Sequence, residues 1–152
     1  MKKQSNTLGR QLKALTTASF IFFVGLPLMA VEVDLAGRNE SDMQQDAGRK
    51  PAEIINFSGV KAGDKVLDLL AGGGYYTEIL SRVVGDNGEV VLQVPEAYLK
   101  YVDKEIKQRL ADNRLKNVTY LLSESPDLKL SENKFDSAFL VLGYHDMFFK
   151  EE

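Results

Sequence analysis

The chain has 152 residues, 44% of them hydrophobic, 27% charged and none cysteine, which suits one domain with one core and excludes a disulfide-stapled miniprotein, thiolate catalysis and a cysteine zinc site. Nineteen Lys and Arg stand against 22 Asp and Glu, yet Lys2, Lys3, Arg10 and Lys13 precede residue 31, where no acid occurs; the remaining body has 15 basic and 22 acidic residues, a net charge of -7. Such a body repels phosphate, which disfavours nucleic acid and anionic membrane surfaces and leaves small molecules or proteins as partners, and the lone His145 cannot build a polyhistidine metal site.

Met1 to Lys13 is positive and polar, and Ala14 to Ala30 is apolar and uncharged, with Gly25 and Pro27 just ahead of a candidate cut after Ala30. This is the layout of a secretory signal over residues 1–30. Roughly 17 residues is short of the ~20 that span a bilayer. The expectation is therefore a cleaved signal and an exported, periplasmic protein; an uncleaved membrane anchor and a core helix are the alternatives. Membrane contact is expected only through this segment, if it is retained.

Residues 31–45 are polar, acidic and without period, and read as a linker; the folded domain is expected over 46–152. Pro51 to Phe57 predicts a short helix stopped at Gly59, with proline in the first turn. Lys65-Val-Leu-Asp-Leu-Leu70 predicts a buried parallel strand, Ala71-Gly-Gly-Gly-Tyr75 a tight glycine turn, and Tyr76 to Val84 a helix. Glu89 to Val94 predicts a second strand, stopped by Pro95. Over Glu96 to Lys116, Tyr98, Val102, Ile106 and Leu110 recur every four residues, predicting a helix whose apolar stripe packs and whose charges form a solvated face. Val118 to Leu122 and Phe135 to Leu142 supply a third and a fourth strand. The order β-α-β-α-β-loop-β with apolar strands predicts an α/β fold, a Rossmann-like doubly wound parallel sheet.

In such a sheet the ligand lies beyond the carboxyl ends of the strands, where the first strand turns into its helix. Glycines there let the backbone approach a ligand, and the amides at the helix start offer donors. A dinucleotide site wants G-x-G-x-x-G and an acid ending the second strand. Gly72-Gly-Gly-Tyr-Tyr-Thr77 lacks the third glycine, and the second strand ends Gln93-Val94-Pro95. An NAD-dependent oxidoreductase fragment is therefore the weaker reading. Asp68, four residues before Gly72, fits a second ligand class.

Here the sequence resembles the class I S-adenosylmethionine-dependent methyltransferases. Val66-Leu-Asp-Leu-Leu-Ala-Gly-Gly-Gly-Tyr-Tyr-Thr77 looks like that family's first motif, set after Val60-Lys-Ala-Gly-Asp64 and before a helix. Phe135-Asp136 and Gly143-Tyr-His-Asp146 further resemble an exported bacterial branch that carries Tyr-His-Asp after the fourth strand. The resemblance covers roughly residues 46 to 150. It implies S-adenosylmethionine as cofactor and places Asp68, Ala71, Gly72, Gly73 and Gly74 against its methionine part. The ribose acid of the family would fall near Val94, which accepts no hydrogen bond by side chain, so Gln93 or Glu96 stands in; Glu124 or Ser125 matches the position beside the adenine.

His145 and Asp146 follow the fourth strand, where the methyl acceptor would lie. An imidazole there can take a proton from a hydroxyl or amine, or serve only as a capping residue. Methyl transfer depends mainly on in-line positioning, so a base is optional. The family domain usually has seven strands against about four here. The chain is therefore expected to be a partial domain, with an apolar sheet edge open to association. A noncatalytic Rossmann-like binding module is the alternative to a methyltransferase acting on a small or exported acceptor.

Overall fold

The computed structural model describes residues 30–148; apart from Ala30, the expected signal segment lies outside the described residues. In chain order the helices are α1 (Glu40–Met43), α2 (Asp46–Arg49), α3 (Pro51–Ser58), α4 (Tyr75–Val84) and α5 (Leu99–Leu110), and the strands are β1 (Lys65–Asp68), β2 (Glu89–Val94), β3 (Val118–Leu122) and β4 (Ser137–Phe139). The sheet order is β3-β2-β1-β4. All three pairings are parallel, with Asp68 level with Leu92 on one side and with Phe139 on the other. The chain thus builds outward from β1 to β3 and then returns to the far side of β1. That reversal is the switch point of a doubly wound sheet.

Burial explains the strand assignments. Val90, Val91, Leu92, Gln93 and Val94 are at most 1% exposed, as expected for a central strand covered on both faces. β3 lies at the edge among the described residues, and its Thr119, Tyr120 and Leu122 are exposed. Ile55, Val66, Tyr76, Ile79, Leu80 and Phe139 belong to one core cluster. Leu92, Val94 and Ile106 form a second, against which Tyr98, Val102 and Leu110 pack. The four-residue stripe of α5 therefore packs as its period predicts.

Three expectations change. Residues 31–45 are not a loose linker: Val31, Val33 and Leu35 pack on the first core, and the Asn56 amide brackets the Val31 main chain at 2.6 and 3.2 Å. Alternation over only five residues is too brief a pattern to read as structure. The fourth strand is shorter than residues 135–142, because pairing ends at Phe139 and Leu142 turns into the left-handed region at φ 61°. The charges of α5 are not all solvated. Arg109 is 4% exposed, since it sits three residues from Ile106 on the packed side of the helix. No helix among the described residues is long and apolar enough to cross a membrane.

Candidate functional site at the carboxyl edge of the sheet

The turn after β1 carries a left-handed residue at every second position: Leu70 at φ 53°, Gly72 at 58° and Gly74 at 82°. Glycine accepts this freely, whereas a leucine there costs ~1–2 kcal/mol. Hydrogen bonds hold the turn in place. Leu69 N–H donates to the Phe139 carbonyl at 2.8 Å, Ala71 N–H to the Gln93 carbonyl at 2.9 Å, and Gly74 N–H to the Ala71 carbonyl at 3.0 Å. Gly74 then opens α4.

Asp68, at the end of β1, is 3% exposed, and its Oδ2 accepts the Thr77 hydroxyl at 2.6 Å. Burial pushes its carboxyl up to about 6, against the opposing pull of the Thr77 hydrogen bonds and the Arg109 charge. Behind the turn lies a buried ionic cluster. Arg109 Nε donates to the Gly73 carbonyl at 2.6 Å, while Nη1 reaches Asp42 Oδ2 and Glu78 Oε2, both at 2.7 Å. Arg114 Nη2 donates to Glu78 Oε1 at 2.6 Å. Burial alone would raise the Glu78 carboxyl, but the bonds and charges of Arg114 and Arg109 outweigh it and bring it down to about 2.

Beyond the strand ends opens a cavity of about 1060 Å³, with Leu70, Glu96, Tyr98, Glu124, Ser125 and Asp146 in its wall. Ligand pockets usually measure ~300–1,000 Å³, so a nucleoside-sized molecule has room. Glu124 Oε1 accepts the Glu96 N–H at 3.1 Å, which brings the loops after β2 and β3 together. Asp146 accepts the Tyr98 hydroxyl through Oδ2 and lies 3.1 Å from His145 Nε2 through Oδ1. Burial, followed by this carboxylate, pushes the Tyr98 phenol above its ordinary range.

Glu96, Glu124, Ser125 and Asp146 are thus the sequence-predicted residues gathered on one cavity. Asp68, Ala71, Gly72, Gly73 and Gly74 are absent from its wall, and Leu70 represents their turn there. Glu105 crowds Gly73: a Cβ on that glycine would fall 2.1 Å from the Glu105 carboxyl. Gln93 does not present its amide to ligand space, because the residue is fully buried and both ends of the amide bond main-chain atoms. His145 is exposed, its side chain 79% accessible, and lies outside the cavity lining. Sequence reasoning missed Leu70, Thr77, Tyr98 and Arg109. Arg109 had a local signal, its place three residues after Ile106 on the packed side of the helix, whereas the alternation that includes Leu70 appears only in the φ angles.

Comparison with known proteins supplies the family. The ubiE/COQ5 methyltransferase family matches residues 42–148. The chain belongs to the ubiE/COQ5 methyltransferase family. It is 33% identical over 99 residues to the ubiquinone/menaquinone biosynthesis C-methyltransferase UbiE of Pseudomonas paraeruginosa, covering 64% of this chain and 38% of that protein. It is 35% identical over 99 residues to the protein of the same description from Legionella pneumophila strain Paris, with the same coverage. The chain thus spans 38% of the length of these curated relatives. Among solved structures, a SAM dependent methyltransferase from Aquifex aeolicus superimposes with a TM-score of 0.56 at 27% identity, over 72% of this chain and 59% of that one. The family is one of class I S-adenosylmethionine-dependent methyltransferases, whose cofactor is S-adenosylmethionine. The sheet of this ubiE/COQ5 member is the expected Rossmann-like α/β type.

Proposed function

We propose that this ubiE/COQ5 member binds S-adenosylmethionine in the cavity at the carboxyl edge of its sheet and serves methyl transfer. The observation that carries the reading is the meeting of Glu96, Glu124 and Ser125 with Leu70 of the glycine turn on one nucleoside-sized cavity. The two carboxylates supply acceptors for ribose hydroxyls and the adenine amino group, and Pro95, Tyr98 and Leu70 supply apolar walls. The bound cofactor would supply an electrophilic methyl group. The chain's own residues orient it, and Asp146, which lines the cavity, is better placed than the outward His145 to take a proton from an acceptor. Because the curated relatives are C-methyltransferases of quinone biosynthesis, and Tyr101 and Met147 are both exposed and part of the lining, the reading includes an apolar acceptor.

Calorimetry of S-adenosylhomocysteine against the full chain tests this, with NAD as control. Saturable binding is expected, weakened about tenfold or more by Glu124→Ala, since one charge-assisted hydrogen bond is lost from an exposed position. Binding of NAD in its place, or no binding of S-adenosylhomocysteine by a chain with native circular dichroism, would sink the cofactor reading. Binding without transfer is a second reading, favoured by the outward His145. The reading also includes export through residues 1–30, and association through the outer edge of β4, which pairs only with β1 among the described residues. Amino-terminal sequencing of the periplasmic fraction and sedimentation of the full chain test these two points.

A further inference from the structure

Gln93 is 0% exposed in the middle of the sheet. Its Oε1 accepts the Leu70 N–H at 2.9 Å and its Nε2 donates to the Ser123 carbonyl at 2.6 Å. The main chain beside it repeats the pattern: the Gln93 carbonyl accepts the Ala71 N–H at 2.9 Å, and the Val94 carbonyl accepts the Ser123 N–H at 3.1 Å. One point on β2 thus grips both the turn after β1 and the loop after β3. Those two segments follow the strands on either side of β2 and both contribute to the cavity wall, Leu70 from one and Glu124 with Ser125 from the other.

The grip falls on a conformation that needs holding. Leu70 lies at φ 53°, where a leucine is disfavoured, and such a residue persists only when its surroundings over-determine it. A primary amide suits the task because it accepts at one end and donates at the other. A carboxylate would keep the acceptor and lose the donor; a hydrocarbon would lose both.

We propose that Gln93 is a positioning residue, which holds Leu70 in the left-handed conformation and fixes the separation of the two cavity walls around the adenosine part of the ligand. For the identity of that ligand the proposal rests on the cofactor reading above, but the latch itself does not.

The test uses the full chain, Gln93→Met, Leu70→Gly and the double variant, read by amide hydrogen exchange without ligand and by calorimetry with S-adenosylhomocysteine. Gln93→Met should speed exchange at Leu70 about tenfold or more while leaving Leu92 protected, and should weaken binding about tenfold. Adding Leu70→Gly should recover part of the affinity lost in Gln93→Met, because glycine adopts the left-handed conformation unaided while the bond to the Ser123 carbonyl stays lost. A merely structural glutamine predicts no such rescue. Unchanged exchange at Leu70 in Gln93→Met, or a double variant that binds no more tightly than Gln93→Met, overturns the proposal. If Gln93→Met does not fold, Gln93→Glu serves: protection kept at Leu70 with weakened binding supports the latch, and unchanged binding refutes it. If the native chain binds no S-adenosylhomocysteine, the cofactor reading falls. Leu70 exchange then decides the latch alone.

Discussion

Asp68 and Glu78 lie ten residues apart on either side of the glycine turn, are 3% and 1% exposed, and titrate in opposite directions. Asp68 has a hydroxyl for a partner and is pushed up to about 6; Glu78 has Arg109 and Arg114 and is brought down to about 2. Burial is common to both, so it is the guanidinium partners that decide the sign. The molecule therefore keeps its charge neutralised behind the turn, where α1, α4 and α5 meet, and leaves a poorly solvated carboxylate at the strand end.

The largest break in this comparison is Arg109→Met. It strands the buried Asp42 without its cation, takes from Glu78 one of its guanidinium partners while Arg114 and Arg82 stay, and frees the Gly73 carbonyl. Urea unfolding at neutral pH should show a loss of about 3–5 kcal/mol. A loss under 1 kcal/mol would show that the cluster is dispensable.

The pH dependence comes next. For Asp68 the folded value near 6 exceeds the ordinary 3.8, so the native state holds more protons between those values, and stability falls as pH rises through that window. Glu78 works the other way: its contribution is present above its ordinary 4.5 and is lost as pH falls toward 2. Asp68→Asn should flatten the first slope, gaining up to about 3 kcal/mol relative to the native chain at pH 7 and nothing near pH 3. An identical pH profile for the two chains would remove burial as the cause.

Smaller effects sharpen the picture of the turn. Gly74→Ala adds a Cβ 2.9 Å from Leu92 Cδ1 and 3.0 Å from Arg109 Cδ at a φ of +82°, and should cost about 2 kcal/mol or more in thermal unfolding. Gly72→Ala meets the same sign of φ with no atom within 4 Å, so about 1 kcal/mol is expected. Equal losses would mean that crowding contributes nothing. His145→Ala, on an exposed side chain outside the cavity, should change stability by less than about 0.5 kcal/mol and leave S-adenosylhomocysteine affinity untouched. A tenfold loss there would bring the histidine back into the site.

Much of the architecture was legible without coordinates. The runs Lys65 to Asp68 and Glu89 to Val94 read as strands because central parallel strands are apolar throughout, and Tyr98, Val102, Ile106 and Leu110 read as a packed helix face because their spacing matches the helical turn. The glycine turn was legible through its composition. Glu96, Glu124 and Ser125 were indicated by the resemblance to the methyltransferases and Asp146 by its place after the fourth apolar run, and they meet on one cavity because a parallel sheet collects its strand ends on one edge.

Contacts between distant residues were not legible. Spacing from Ile106 puts Arg109 on the packed side of its helix and Lys107 on the exposed side, but the carboxylates that pair it there, Asp42 and Glu78, are 67 and 31 residues away and carry no local mark. Gln93 resembles a ligand residue at a strand end until Leu70 and Ser123 occupy both ends of its amide. Local spacing sets secondary structure and the edge at which loops gather, through periods that a short stretch of chain contains. Which polar groups face the ligand and which hold the scaffold depends on partners that only folding brings within 3 Å or so, and that was decided by the tertiary structure.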